Sequence, residues 1–320
     1  MTSVALCTYN GEKYIEEQIS SILSQSVPVD EIVVCDDGST DSTLTIIERF
    51  LLQTKTSIRI YHNDKQLGVC ANFQKAVDLC AGDIIFLSDQ DDVWCKDKVK
   101  TICEWFRHNP TKNVVFTDAY LINETNQLIP NDCLWKRVKF SRKEQYWFKH
   151  GFALEVFLQG NVATGATMAF RSCSGPYMLV VPDSSVYHDE LLAEAAMLTK
   201  SLGFIAEPLI KYRLHREQVC GMPVEGIGRN SAIEPIWNNN AISYLPQSDI
   251  VKFRIQFGAE RQRNAHIWFG GFVFRHLFDY FKGYGLGLGM IPLLNDLSKS
   301  FTHSLYRIVN KVYRVIASAE

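Results

Sequence analysis

Three carboxylates stand within four residues at Asp89-Gln90-Asp91-Asp92, directly after the apolar run Ile84-Ile85-Phe86-Leu87. Like charges this close repel, and desolvating them is costly. A hard divalent cation removes the conflict, because such ions accept several oxygen ligands at once. The stretch therefore reads either as a metal site facing a polyanionic ligand or as a solvated acidic turn leading into a helix. Taken alone it favours neither.

The elements around it decide more. Apolar, β-branched runs at 3–7, 31–35, 58–61, 83–87 and 114–118 predict strands. Helical spacing of apolar residues fills the gaps at 12–26, 41–52, 68–80 and 96–108, with Asp41 at a plausible N-cap. Strands separated by helices predict a mainly parallel sheet with helices on its faces. Ligands of such sheets bind beyond the carboxyl ends of the strands. Thr8-Tyr9-Asn10, Asp36-Asp37-Gly38-Ser39 and Asp89–Asp92 all fall there. Three polar tips on one edge favour the metal-site reading over the turn. Neither GxGxxG nor GxxxxGK[ST] follows the first strand, so a dinucleotide fold and a phosphate loop are disfavoured. Asp37 could still accept from a base or ribose, and backbone near Thr8 and Tyr9 could frame a base.

Past residue 118 the pattern loosens. Residues 131–165 mix Trp135, Tyr146, Trp147 and Phe148 with lysines, as a lid, an acceptor-binding insertion or a helical excursion would. Strand character resumes at 165–171, and a helix is predicted over 186–202, opening near His188-Asp189-Glu190. Two short strand signals flank Pro208. Residues 226–247 are rich in Asn, Pro and Ser and read as a linker or loop.

Bulk properties exclude several classes. The chain has 320 residues, 47% of them hydrophobic, and a net charge of −2, without the basic excess of a general nucleic-acid binder. Nine cysteines carry no CxxC pair, so a zinc site is not expected and reduced thiols in the cytoplasm are. No leader-like start and no long apolar run appear, so no spanning helix is expected. From residue 251 onward, ten basic residues face four acidic ones, giving +6 there and −8 for the first 250. With its aromatic residues, this tail reads as an interfacial helical segment that touches a membrane surface, or as a helical cap or homodimer contact.

At this point four motifs occur in a telling order: Thr8-Tyr9-Asn10-Gly11; Asp36-Asp37-Gly38-Ser39-Thr40-Asp41; Gly68 with Asn72 and Ala76; and Ser88-Asp89-Gln90-Asp91-Asp92-Val93-Trp94. Together they closely resemble the family 2 inverting glycosyltransferases, over about the first 220 residues and nearest the bacterial polysaccharide branch that includes rhamnosyltransferases. The resemblance implies a GT-A fold, a Rossmann-like mainly parallel sheet flanked by helices, here with a C-terminal helical extension. It implies a catalytic domain over 1–222, with a nucleotide-sugar half to about 118 and an acceptor half beyond; composition adds a linker or mobile loop over 223–247 and a basic amphipathic helical tail over 248–320.

The resemblance also implies roles. The donor would be a UDP- or dTDP-sugar, bound by Thr8, Tyr9, Asn10, Asp37, Asn72, Asp89 and Arg213. Asp89 and Asp91, with His215 of the Tyr212-Arg213-Leu214-His215 motif, would hold Mg²⁺ or Mn²⁺ on the diphosphate. Asp92, Trp94, Gly165 and His188 would stand near the donor sugar or the acceptor, a glycan or polyprenyl-linked glycan at the inner face of the cell membrane. Asp189 matches the family's base, which deprotonates the acceptor hydroxyl. A helix N-terminus favours its ionised form. Each has a plainer reading beside it: an N-terminal helix charge for Asp189, a structural histidine for His215, a strand-start glycine for Gly165. Glu217 departs from the small residue expected after the histidine motif. A processive synthase would bring membrane spans and a Q-x-x-R-W motif, and neither is found. A catalytically silent sugar-binding scaffold is the alternative from another class.

Overall fold

In the computed structural model the described residues are 1–153, 156–157, 160–174, 187–216 and 218. The expectations for 223–247 and for the tail lie outside them, as does Glu217.

The first half alternates as its apolar spacing predicts. The elements are β1 (Thr2–Thr8), α1 (Ile15–Leu23), β2 (Glu31–Asp36), α2 (Thr43–Phe50), β3 (Ser57–His62), α3 (Val69–Leu79) and β4 (Ile84–Ser88). These four strands lie in the order β3-β2-β1-β4, all parallel. Residues along each strand bury alternately into two cores. Val4, Leu6, Ile32 and Val34 face α1 and α2, while Ala5, Val33 and Cys35 face α3. A sheet covered on both faces must be apolar on both, which is why these strands read as continuous hydrophobic runs.

The second half turns the sheet mixed. It contains β5 (Val93–Trp94), α4 (Lys98–His108), β6 (Val114–Ile122), β7 (Leu128–Cys133), α5 (Leu134–Arg137), α6 (Arg142–Lys149), a 3-10 turn (Gly165–Thr167), β8 (Ala169–Arg171), α7 (His188–Leu198) and β9 (Leu202–Arg213). Antiparallel β8 joins β4 to β6, β9 runs parallel to β6, and β5 and β7 pair antiparallel with β9 and β6. The parallel expectation therefore holds for β1–β4 and for β6 with β9, and the remaining pairings run the other way. The two strand signals around Pro208 are one strand. Pro208 offers no N–H, and the β6–β9 register shifts at that point, between Thr117 and Ala119.

This topology puts the polar tips together. Thr8 lies opposite Asp36 in the β1–β2 register, and Leu6 lies opposite Ser88, so all three tips open on one edge. Pairing of β8 with β4 sets the Gly165–Thr167 turn against that edge, where the Leu87 N–H donates to the Met168 carbonyl at 3.2 Å. Pairing of β5 with β9 brings Arg213 and His215 beside Asp91 and Asp92. No helix among the described residues is long and apolar enough to cross a membrane.

Candidate active site

A cavity of about 960 Å³ opens at this edge. On its wall stand Thr8, Tyr9, Asn10, Asp37, Asn72, Asp89, Asp91, Gly165, His188, Asp189 and His215, eleven of the residues singled out from the sequence. Asp92, Trp94 and Arg213 are not on it.

The first two tips are built by Asp36, which is buried and organises the turn around it. Its carboxylate accepts from the Thr8 hydroxyl at 2.9 Å, the Ser39 N–H at 2.9 Å and the Ser39 hydroxyl at 2.5 Å, and faces His62 Nδ1 at 2.9 Å. Asn10, in the left-handed region at φ 46, clamps the same turn by accepting from the Thr40 N–H at 2.9 Å. Tyr9 is fixed from the third tip. Gln90 accepts from the Tyr9 N–H at 2.8 Å and donates to its carbonyl at 3.0 Å. Asp37 accepts from Asn63 Nδ2 at 2.8 Å and from the Leu67 and Gly68 N–H groups at 2.7 and 2.9 Å. Three of roughly four acceptor positions on its carboxylate are therefore filled, which leaves one for a ligand. Asn72 is spent on the frame, donating to the Cys35 carbonyl at 2.8 Å and accepting from Asn63.

The acidic tip is held from β9. His215 Nε2 lies 2.7 Å from Asp91 Oδ2, and its ring packs beside Tyr14. His215 Nδ1 is buried with no partner among the described residues. Burial first, then the charges of Asp91 and Asp189, push the Asp89 carboxyl up to about 7. Among the described residues no group of three or more His, Cys, Asp or Glu side chains is arranged to hold a metal ion unaided. The donor chemistry nonetheless fits a hard cation, since Mg²⁺-type ions are bound by one or two carboxylates with substrate phosphates completing the shell. Asp89 and Asp91 would supply the carboxylates.

Arg213, Asp92 and Trp94 correct the expected site. Arg213 is buried, with Nε donating to the Asp91 carbonyl at 2.7 Å, Nη2 to Glu17 at 2.6 Å and its guanidinium over Tyr14. No face of it is left for a phosphate, so it braces the acidic tip from behind. Asp92 is buried and accepts from the Arg213 N–H at 3.0 Å; burial, then Asp91 and Asp89, hold its carboxyl well above the usual range. Trp94 is core, against Phe86 and beneath Lys98. Apolar β5 needs a partner strand, and taking it buries Trp94.

Across the cavity α7 presents its first residues. Asp189 Oδ2 accepts from the Gly165 N–H at 2.8 Å and Oδ1 from the Glu190 N–H at 2.8 Å. A methyl group on Gly165 would stand 3.3 Å from both Asp189 Cβ and His188 Nε2, so a glycine is what lets this turn approach the helix. His188 is 5% exposed and stacks on Phe73 at 4.1 Å, and neither ring nitrogen has a partner among the described residues. Burial holds its imidazole below the usual range, in the neutral form.

The profile of Glycosyl transferase family 2 matches residues 3–173, more than half of the chain. The chain belongs to this family. Among curated relatives, a dTDP-rhamnosyl transferase of Shigella flexneri is 46% identical over 99 residues, 30% of this chain and 34% of that one. A chondroitin synthase of Escherichia coli is 33% identical over 135 residues, 42% of this chain and 19% of that one. The chain thus spans about a third and a fifth of the length of these two. An uncharacterized glycosyltransferase of Haemophilus influenzae is 27% identical over 251 residues, 77% of this chain and 74% of that one. Among solved structures, TarS of S. aureus in complex with UDP-GlcNAc superposes with a TM-score of 0.52 at 20% identity, over 68% of this chain and 59% of that one. That likeness establishes the GT-A fold.

Within this family 2 frame, some residues on the cavity were not singled out from sequence. Gln90 carried a signal, since it stands inside the acidic triplet it braces. Lys13, Tyr14, Phe73, Arg137 and Tyr187 line the cavity with no local pattern to mark them. Lys98, beneath the site, looked like an ordinary first-turn residue of a helix. It is buried, donates to the Ala166 carbonyl at 2.9 Å, and lies 4.0 Å from the Trp94 ring centroid. Burial pulls its ammonium down to about 7 against the opposing pull of Asp92 and Asp89.

Proposed function

We propose that this chain is an inverting, metal-dependent glycosyltransferase, moving a sugar from a UDP- or dTDP-sugar to a glycan or lipid-linked glycan of a bacterial surface polysaccharide. The observation that carries the reading is the convergence of three polar strand tips and Asp189 on one cavity. The rhamnosyl transferase relative, with its dTDP donor, and the UDP-GlcNAc held by TarS support a pyrimidine nucleotide sugar. Residues 1–222 form the catalytic domain in this reading.

The roles follow from position. Asp37 keeps one acceptor site for the base or ribose, framed by the Thr8–Asn10 backbone. Asp91 and Asp89, with His215 adjoining, hold Mg²⁺ or Mn²⁺, which when bound would neutralise charge on the departing nucleoside diphosphate. Asp189 accepts the proton of the acceptor hydroxyl as that oxygen attacks the anomeric carbon from the face opposite the leaving group. Its Gly165 N–H bond aims the carboxylate, and Gly165 leaves room for the incoming hydroxyl.

A thermal-shift panel of nucleotide sugars with Mn²⁺ identifies the donor, and turnover is then assayed with it. Asp189→Asn is expected to lower turnover by about 10²–10⁴-fold while calorimetry finds donor affinity nearly unchanged. Equal loss of both contradicts the base assignment, and no turnover of any donor by the unaltered protein favours the silent scaffold.

A further inference from the structure

Lys98 opens α4, yet its side chain is fully buried. A buried ammonium is costly unless its charge is answered. Two contacts answer it here. The Ala166 carbonyl accepts at 2.9 Å and the Trp94 ring lies beneath at 4.0 Å. Ala166 belongs to the Gly165–Thr167 turn, and the adjoining Gly165 N–H seats Asp189 at 2.8 Å. The contacts that hold Asp91 come instead from β9, through His215 and Arg213. Two separate supports therefore carry the two sides of the cavity, and Lys98 belongs to the one that leads to Asp189.

We propose that Lys98 is a positioning residue for transfer: its ammonium ties the Gly165–Thr167 turn, and through it the Asp189 carboxylate, to the first turn of α4. It reaches no substrate and acts only through the turn. This rests on the proposed function, because the placement of Asp189 matters to turnover only if Asp189 takes the proton.

The test is Lys98→Met in the full chain, read three ways. Turnover should fall by about 100-fold, as expected for a misplaced catalytic group. Affinity for UDP or dTDP with Mn²⁺ should stay within about threefold, which separates lost positioning from lost binding. Amide hydrogen exchange over residues 165–168 should quicken by about tenfold while β1–β3 keep their protection. Lys98→Arg, which keeps the charge and a donor, should recover part of the turnover. Unchanged turnover, or turnover and nucleotide affinity falling together, overturns the proposal. If the unaltered protein turns over no donor, the proposed function fails by itself; the exchange measurement still decides the tether, and unchanged exchange at 165–168 sinks it. Should Lys98→Met not fold, Lys98→Gln, uncharged and one bond too short to hold the Ala166 carbonyl, takes its place with the same expected results. Failure of both to fold would make Lys98 a stability residue and overturn the positioning role.

Discussion

His188 is buried with two ring nitrogens that find no partner among the described residues, at the lip of the turn that seats Asp189. Leaving a buried polar atom unpaired costs about 1–3 kcal/mol, so a site that keeps two has a use for them. A neutral imidazole offers one donor and one acceptor, and a sugar hydroxyl can meet either. Stacking on Phe73 fixes the ring plane, so only its edge is presented. His188→Phe keeps the stack and removes both nitrogens. Stability, measured by urea unfolding, should hold or rise by about 1–3 kcal/mol, while turnover drops by roughly 10-fold or more. Unaltered turnover would make His188 a packing residue.

At the scale of elements, the first half of the sheet is stitched by Glu31 at the start of β2. Its carboxylate accepts from Ser3 of β1 at 2.5 Å, from Arg59 of β3 at 2.6 Å and from the Ala81 N–H ahead of β4 at 2.6 Å. Desolvation pushes the carboxyl up, but the Ser3, Ala81 and Arg59 bonds outweigh it and hold it below the ordinary 4.5. A carboxyl lowered by folding stabilises in full above its unfolded value, and that contribution is lost as pH falls through the folded value. Glu31→Gln should therefore cost about 1.5 kcal/mol at neutral pH. The gap to the unaltered protein should close only as unfolding is followed to pH values below the ordinary 4.5. A gap that stays constant with pH would mean the charge contributes nothing.

The same elements explain what could be read from the chain alone. Runs such as 3–7 and 31–35 announce buried parallel strands because both faces must be apolar, and their polar ends mark the cavity edge. Asp189 and His215 were legible through short motifs. Of the antiparallel strands, β8 falls within the strand read at 165–171, but β5 and β7 were not legible. Two-residue β5 has no period to detect, and β7 is an edge strand with mostly polar or exposed positions. Arg213 and Trp94 misled because a residue type suited to phosphate or sugar was used for bracing. Only the β5–β9 pairing reveals that, and it joins residues more than a hundred apart in sequence.

For the whole molecule, two halves of one sheet supply the two sides of a reaction. The parallel strands β1–β4 carry the tips that would hold a nucleotide, β9 brings His215 against Asp91, and β8 and α7 return the chain to set Asp189 opposite. The most direct test is calorimetric titration of UDP and dTDP into the full chain, with Mn²⁺ and with the metal chelated, for the unaltered protein and for Asp91→Ala. One nucleotide should bind the unaltered protein with an affinity that falls by about 100-fold or more, roughly 3 kcal/mol, when the metal is removed. Asp91→Ala should bind it weakly in both conditions. Equal affinity with and without Mn²⁺, or an Asp91→Ala variant that binds as the unaltered protein does, would contradict a metal-held diphosphate in this cavity.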